Sequence, residues 1–356
     1  MSTAPAAAPE IVCGFDGFVD ELIRVVGERI DPDTYLALGS LGELGALVSA
    51  AAGRNSLREI VIERVDGGGC AINLGDGVAA LGARVHYLGT VGSPAHPAFV
   101  PILARFASAT PLGTVYGRTL CFEFNDGKFM FPAVQQLGEV TPALVEPCIA
   151  AYAAACARAQ VICLTNWTLY PHMTAVWRHL QQRVYGNLRH QPWFFIDLVD
   201  PSGRSTADIL ELADALGGFG ARTALSVNRT ELAVLADRLG LPPQDDVGQA
   251  AAGLRARLGI AQVVVHNSRI NAVAYAHDGA DGVLVTPAGP FCAQPMKSTG
   301  AGDRFNAGYV HGLATGLGHR ERLDLGSAVA GFFIRNARSG SLAEVAQYAP
   351  VRQAAG

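Results

Sequence analysis

Charge is sparse in this chain of 356 residues: 16% are Asp, Glu, Lys or Arg, against 50% hydrophobic. Such a sequence can bury enough apolar surface to offset the entropy of ordering it, which excludes disorder for most of its length. The charge that is present nearly cancels, 27 Lys+Arg against 31 Asp+Glu, and no long basic run occurs. The electrostatic footprint of a nucleic-acid or anionic-membrane binder is therefore missing, leaving small polar molecules as the expected partners. The seven cysteines are odd in number, scattered, and never form a CxxC pair, which argues for reduced, mostly buried thiols. No stretch reaches the ~18 uninterrupted apolar residues of a membrane helix; the richest, 143–164, carries Glu146, Pro147, Arg158 and Gln160. Residues 1–10 are small and Pro-rich, with no basic start followed by an apolar core, so they are expected to be a disordered N-terminus rather than a secretion signal. A cytoplasmic location is the expectation.

Short, nearly continuous apolar runs alternate with helical patterns, as in βα units stacked around a mainly parallel sheet buried on both faces. The runs at 11–15, 85–88, 161–164, 193–196, 224–227 and 262–265 read as strands. Helices are expected at 71–81, 97–107, 142–157, 172–184, 205–216, 229–239 and 247–258. An edge hairpin is expected from 272–276 and 282–286, turning at 277–281. Two stretches break this rhythm. Residues 19–65 are far too long for an ordinary βα loop, and predict a helix over 32–52 followed by a strand over 59–65. Residues 113–132 alternate on either side of Asn125-Asp126-Gly127, a hairpin signal because Asp-Gly supplies tight-turn angles. Together they predict a small β-rich lid on a doubly wound α/β body.

The sharpest chemical signal is Lys297-Ser298-Thr299-Gly300-Ala301-Gly302-Asp303, which opens a long helical pattern. Gly300, Ala301 and Gly302 would present backbone N–H groups at a helix N-terminus, a ready anion site. Asp303, one residue inside, is placed to take a proton from an attacking hydroxyl, the combination that phosphoryl transfer uses. An ordinary glycine turn with Asp303 capping a helix fits the same tetrapeptide. A second signal, Asp66-Gly67-Gly68-Gly69-Cys70-Ala71-Ile72-Asn73, fails as a dinucleotide fingerprint because Ile72 stands where a third small residue belongs. It reads instead as a bare turn against which a polyol can lie, with Asn73 as donor and acceptor, or simply as a turn entering a helix. The sequence holds only two lysines, Lys128 beside the lid turn and Lys297 abutting the glycine loop.

Taken together these segments resemble the ribokinase-like, or PfkB, carbohydrate kinase family. Further matches follow in order: a first strand leading to Asp20, Ile196-Asp197…Asp200-Pro201, and Asn228-Arg229-Thr230-Glu231, covering about 11–340 as one kinase domain with lid segments near 19–65 and 113–132. The resemblance implies transfer of the ATP γ-phosphate to a hydroxyl of a sugar or sugar-like molecule. It makes Asp303 the base and Gly300, Ala301 and Gly302 the anion hole. Asp20, Gly68, Gly69 and Asn73 would hold substrate, with Asp16 as a second contact from Gly14-Phe15-Asp16. Asn228 and Glu231 would organise Mg²⁺ through water, and Thr299, His266 and Ser268 would contact the nucleotide. A monovalent cation and a homodimer are compatible with it. A nucleoside acceptor, or a non-catalytic carbohydrate sensor on the same fold, remains an alternative. The sequence departs from the family pattern at His266-Asn267-Ser268-Arg269-Ile270-Asn271, where two glycines usually form the nucleotide turn, so non-standard base contacts are expected there.

Overall fold

In a computed structural model, residues 7–277 and 280–348 are described, and residues 1–6, 278–279 and 349–356 are not. The apolar runs become strands: β1 Glu10–Gly14, β2 Phe18–Arg29, β3 Tyr35–Ala37, β4 Ile60–Gly68, β5 Arg84–Gly89, β6 Ser108–Pro111 and β7 Gly117–Phe124. The chain continues with β8 Gly127–Ala133, β9 Val161–Thr165, β10 Trp193–Asp197, β11 Thr223–Asn228, β12 Gln262–His266, β13 Ile270–His277 and β14 Ala280–Pro287. One sheet has the order β14-β13-β12-β11-β10-β9-β1-β5-β6. Every neighbouring pair from β12 to β6 is parallel, and β13–β14 adds antiparallel at one edge. Strands β9 and β10 are buried at every residue, because apolar clusters fill both faces of the sheet. From β1 the chain runs out to β5 and β6, then returns to β9 on the other side. The strand order therefore reverses between β1 and β9, where open α/β sheets bind ligands beyond their carboxyl ends.

The second sheet is the lid. β2 pairs antiparallel with β4 and parallel with β7, β8 completes the hairpin, and β3 takes the far end of β2. Two expectations here need correction. Residues 18–29 form a strand that the sequence did not mark, because Asp20-Glu21-Leu22 and Val25-Val26 break its alternation and only its partners on both sides define it. The helix expected over 32–52 exists only as Leu41–Ala50, entered through the Ser40/Glu43 capping box. Ahead of it, Asp31 Oδ1 accepts the N–H groups of Asp33 (2.9 Å) and Thr34 (2.7 Å), closing a turn that competes with helix and leads into β3.

Elsewhere prolines divide expected helices. Residues 97–107 yield a 3₁₀ turn and one short helix, Val100–Leu103, before β6. The 142–157 helix splits into Pro142–Val145 and Ile149–Cys156 around Pro147, which lacks the N–H to continue the ladder. The edge hairpin forms, with turn residues 278–279 outside the described residues. At the N-terminus, Glu10 belongs to β1 rather than to a disordered arm, its carboxylate paired with Arg84, His86 and Arg158; residues 1–6 lie outside the described residues.

Three helices frame the glycine loop. Ala301–Ala314 follows Gly300 and runs beside His319–Asn336 and Cys70–Ala80. The contacts are close because glycines make them: a Cβ on Gly308 would lie 2.7 Å from the Gly326 Cα, and one on Gly77 would lie 2.5 Å from the Ala307 Cβ.

Candidate active site

The carboxyl ends of the central strands and the N-termini of two helices converge on Asp303. Gly300 adopts φ +87°, the left-handed geometry that swings the chain from the 298–300 turn into the helix. Asp303 sits in the helix's first turn and accepts from Asn73 Nδ2 at 2.8 Å. Burial pushes its carboxyl up to about 6, with Asn73 and the adjacent Arg304 pulling the other way. A carboxylate so tuned is a competent base near neutrality.

Two cavities meet at this loop, and both are lined by Pro295 and Ser298. The first, about 400 Å³, lies under the lid between Asp20, Asp66, Cys121, Lys128, Lys297 and Thr299. Burial lifts Asp20 to about 6 as well. Gly68 is bare because a Cβ there would stand 2.4 Å from Asp20 Oδ2. The second cavity, about 470 Å³, is bordered by Asn228, His266, Ser268, Gly302, Phe305, Phe291 and Ile334. His266 stacks on Phe305 with ring centroids 5.1 Å apart, and burial drops its imidazole to about 4, so it is neutral at physiological pH. The altered turn needs no glycine. None of residues 266–271 has positive φ, and Asn267 Oδ1 accepts from the N–H groups of Arg269 (2.7 Å) and Ile270 (2.9 Å), building the bend from a side chain.

Asp16, a predicted substrate contact, lies outside the lining of both cavities. Asp16 is fully buried; its Oδ1 accepts from Ala71 N (2.9 Å) and Thr165 Oγ1 (2.5 Å), and its Oδ2 from Cys70 N (2.5 Å) and Asn166 Nδ2 (3.2 Å). It caps the Cys70–Ala80 helix, an acidic group matched to the positive end of the dipole. Gly69, at φ +99°, sets this junction. The Asn228/Glu231 pair forms a capping box: Glu231 accepts from Asn228 N (2.8 Å) and Nδ2 (2.7 Å), while Asn228 Oδ1 accepts from Thr230 N and Glu231 N. Burial raises the Glu231 carboxyl. Among the described residues no group of three or more His, Cys, Asp or Glu is arranged to hold a metal ion.

Sequence reasoning missed the scaffold behind Asp303. Asn306, one turn on, donates to Asp197 Oδ2 at 2.6 Å and accepts from Ser226 Oγ at 2.7 Å, tying the helix to β10 and β11. The Asp303-x-x-Asn306 spacing was the available signal. Arg304 is buried, bonds to Asp76 Oδ2 (2.8 Å), Ser339 Oγ (2.8 Å) and the Asn73 carbonyl, and stacks on Phe333. A charged residue in a helix's first turn gave no sign of that burial.

A switch-point glycine loop at a helix N-terminus, a carboxylate beside it and a β-sheet lid define the ribokinase-like kinases of small molecules. Solved structures agree in fold: the adenosine kinase of Sinorhizobium meliloti superposes with a TM-score of 0.66 at 21% identity, covering 96% of this chain and 98% of that one. The ribokinase of Arabidopsis thaliana, complexed with ribose and ATP, gives 0.66 at 17% identity over 96% and 99%. In sequence, the prokaryotic ketohexokinase family profile matches residues 3–350, and the chain belongs to that family. The ketohexokinase of Haloferax volcanii is 28% identical over 339 residues, 91% of this chain and 86% of that protein. The protein is thus an ATP-dependent sugar kinase, a phosphotransferase with an alcohol group as acceptor.

Proposed function

We propose that the sugar is a ketohexose, bound under the lid against Asp20 and Gly68, with ATP in the cavity beside His266 and Ser268. The carrying observation is the placement of Asp303 at the loop where the two cavities meet, its carboxyl near 6 and held by Asn73. In this reading a sugar hydroxyl oxygen attacks the γ-phosphorus and its proton passes to Asp303. The bond from γ-phosphorus to the β-bridging oxygen breaks, and ADP leaves with the electron pair. The N–H groups at Gly300 and Gly302 hold the transferred group, with that of Ala301 shared with the Ser298 carbonyl to which it donates at 3.1 Å. Membership of the ketohexokinase family supports the sugar class.

The donor set fits Mg²⁺ held chiefly by phosphate oxygens and water, with Glu231 and Asn228 as contacts to those waters, because both Glu231 oxygens already serve the helix cap. When bound, the ion offsets charge on the phosphates. A monovalent cation enters no step of this reading. A homodimer is favoured by the lid's outer face, where Ile60, Ile62, Phe129 and Phe131 are each 44–50% exposed. Steady-state assays with ketohexoses, aldohexoses, ribose and adenosine test the substrate: a ketohexose is expected to give the highest kcat/KM. Preference for a nucleoside or pentose would overturn the assignment.

A further inference from the structure

The chain's only two lysines line the same cavity, although its basic residues are otherwise all arginine and spread over the whole molecule. Arginine would serve surface solubility equally well; a lysine supplies a compact point charge on a flexible stem. The two are not equivalent in their surroundings. Lys297, on the body, lies with its Nζ 3.4 Å from Asp66 Oδ2 on β4, an oxygen that Arg64 also binds at 2.9 Å, and its charge also acts on Asp20. Lys128, at the start of β8 on the lid hairpin, ion-pairs with no carboxylate among the described residues. Its Nζ donates instead to Thr299 Oγ1, the side chain immediately before Gly300. Glu123 is its cross-strand neighbour on the same face of the hairpin, yet no carboxylate among the described residues closes to ion-pair distance, so a half-buried ammonium is held by the lid at the edge of the glycine loop, read above as an anion site.

We propose that Lys128 is a lid-borne catalytic residue that contacts the transferred phosphoryl group and stabilises the charge developing on its oxygens. Lys297, which shares the Asp66 carboxylate with Arg64, is the positioning residue that holds β4 of the lid to the body. The proposal rests on the reading of Gly300–Asp303 as the phosphoryl-transfer site. No bond to Lys128 forms or breaks, and its proton stays in place; the electrons move as written above. A cation delivered by a closing element acts only when both substrates are enclosed, so its effect falls on the transition state more than on either binding step.

The test uses the full chain with Lys128→Gln, which can still reach Thr299 but carries no charge, alongside Lys128→Arg and Asp303→Asn. Lys128→Gln is expected to lower kcat at least ~10²-fold, comparable with loss of an oxyanion donor. Sugar KM and ADP Kd should stay within about threefold of the parent, and the ADP–aluminium fluoride–sugar complex should weaken in parallel with kcat. Lys128→Arg should recover part of the rate. A kcat within threefold of the parent, or a raised sugar KM at unchanged kcat, would reduce Lys128 to a lid anchor and overturn the proposal. If Asp303→Asn is as active as the parent, it is the underlying site reading that fails. A large fall in Asp303→Asn with none in Lys128→Gln rejects the lysine alone.

Discussion

At the scale of single residues, the site combines two carboxyls that burial lifts to about 6 and that repel each other, Asp303 and Asp20. In the proposed reaction both act ionised, one as base and the other as an acceptor for sugar hydroxyls. Raised values mean that each is protonated, and lost to these roles, as pH falls through about 6, well above the ordinary range of an aspartate. The acid limb of kcat/KM is therefore expected near pH 6 and steeper than a single protonation allows. Asp20→Asn should raise sugar KM and reduce the slope to that of one proton. An unchanged slope in that variant would remove Asp20 from the ionisations that govern turnover. Asp16, a third buried aspartate nearby, is also raised by burial against the pull of its four donors, but it lines neither cavity and enters no step of the proposed reaction.

Elements succeed or fail here by how closely they approach. The Cys70–Ala80 and Ala301–Ala314 helices bring Asn73 to Asp303 only because Gly77 leaves room for Ala307. Alanine at 77 gains about 1 kcal/mol of helix propensity but is overpacked against a Cβ 2.5 Å away, and overpacking costs typically 1–3 kcal/mol. The second effect wins because neither helix can yield without moving the Arg304–Asp76 pair. Gly77→Ala is thus expected to lower both Tm and kcat. Gly45, in the exposed Leu41–Ala50 helix, has nothing within 4 Å of a would-be Cβ, so Gly45→Ala should raise Tm slightly with kinetics unchanged. Thermal melting of the two variants side by side separates packing from propensity; a rise in Tm for both would mean that the helix pair is looser than its geometry indicates.

For the whole molecule, the lid has two unlike faces. Register places Asp20, Leu22, Cys121, Glu123 and Lys128 toward the cavity, whereas Ile23, Ile62, Phe122, Phe129 and Phe131 share the opposite face. An apolar sheet face with Ile62, Phe129 and Phe131 about half exposed is costly in water, and in the proposed homodimer a second copy of the chain would cover it. Sedimentation should find a dimer for the parent and a monomer for Phe131→Glu. A parent that stays monomeric at tens of micromolar would rule that contact out.

The sequence by itself determined the parallel sheet, the edge hairpin, the lid hairpin at Asn125-Asp126-Gly127 and the glycine loop before Asp303, because each is encoded in local periodicity or in a turn only certain residues make. Tertiary structure alone decided which polar groups are accessible. Asp16 and Asp20 stand four residues apart with the same chemistry, yet one is sealed under a helix N-terminus and the other opens on a cavity. Strand β2 and the Arg304–Asp76 pair were hidden for the same reason: their partners lie tens to hundreds of residues away. The 266–271 turn shows the converse, since the missing glycines were plain in the sequence, but only the folded loop revealed Asn267 bending the chain in their place. Burial and pairing are set by what packs from elsewhere in the chain, and no local pattern carries that information.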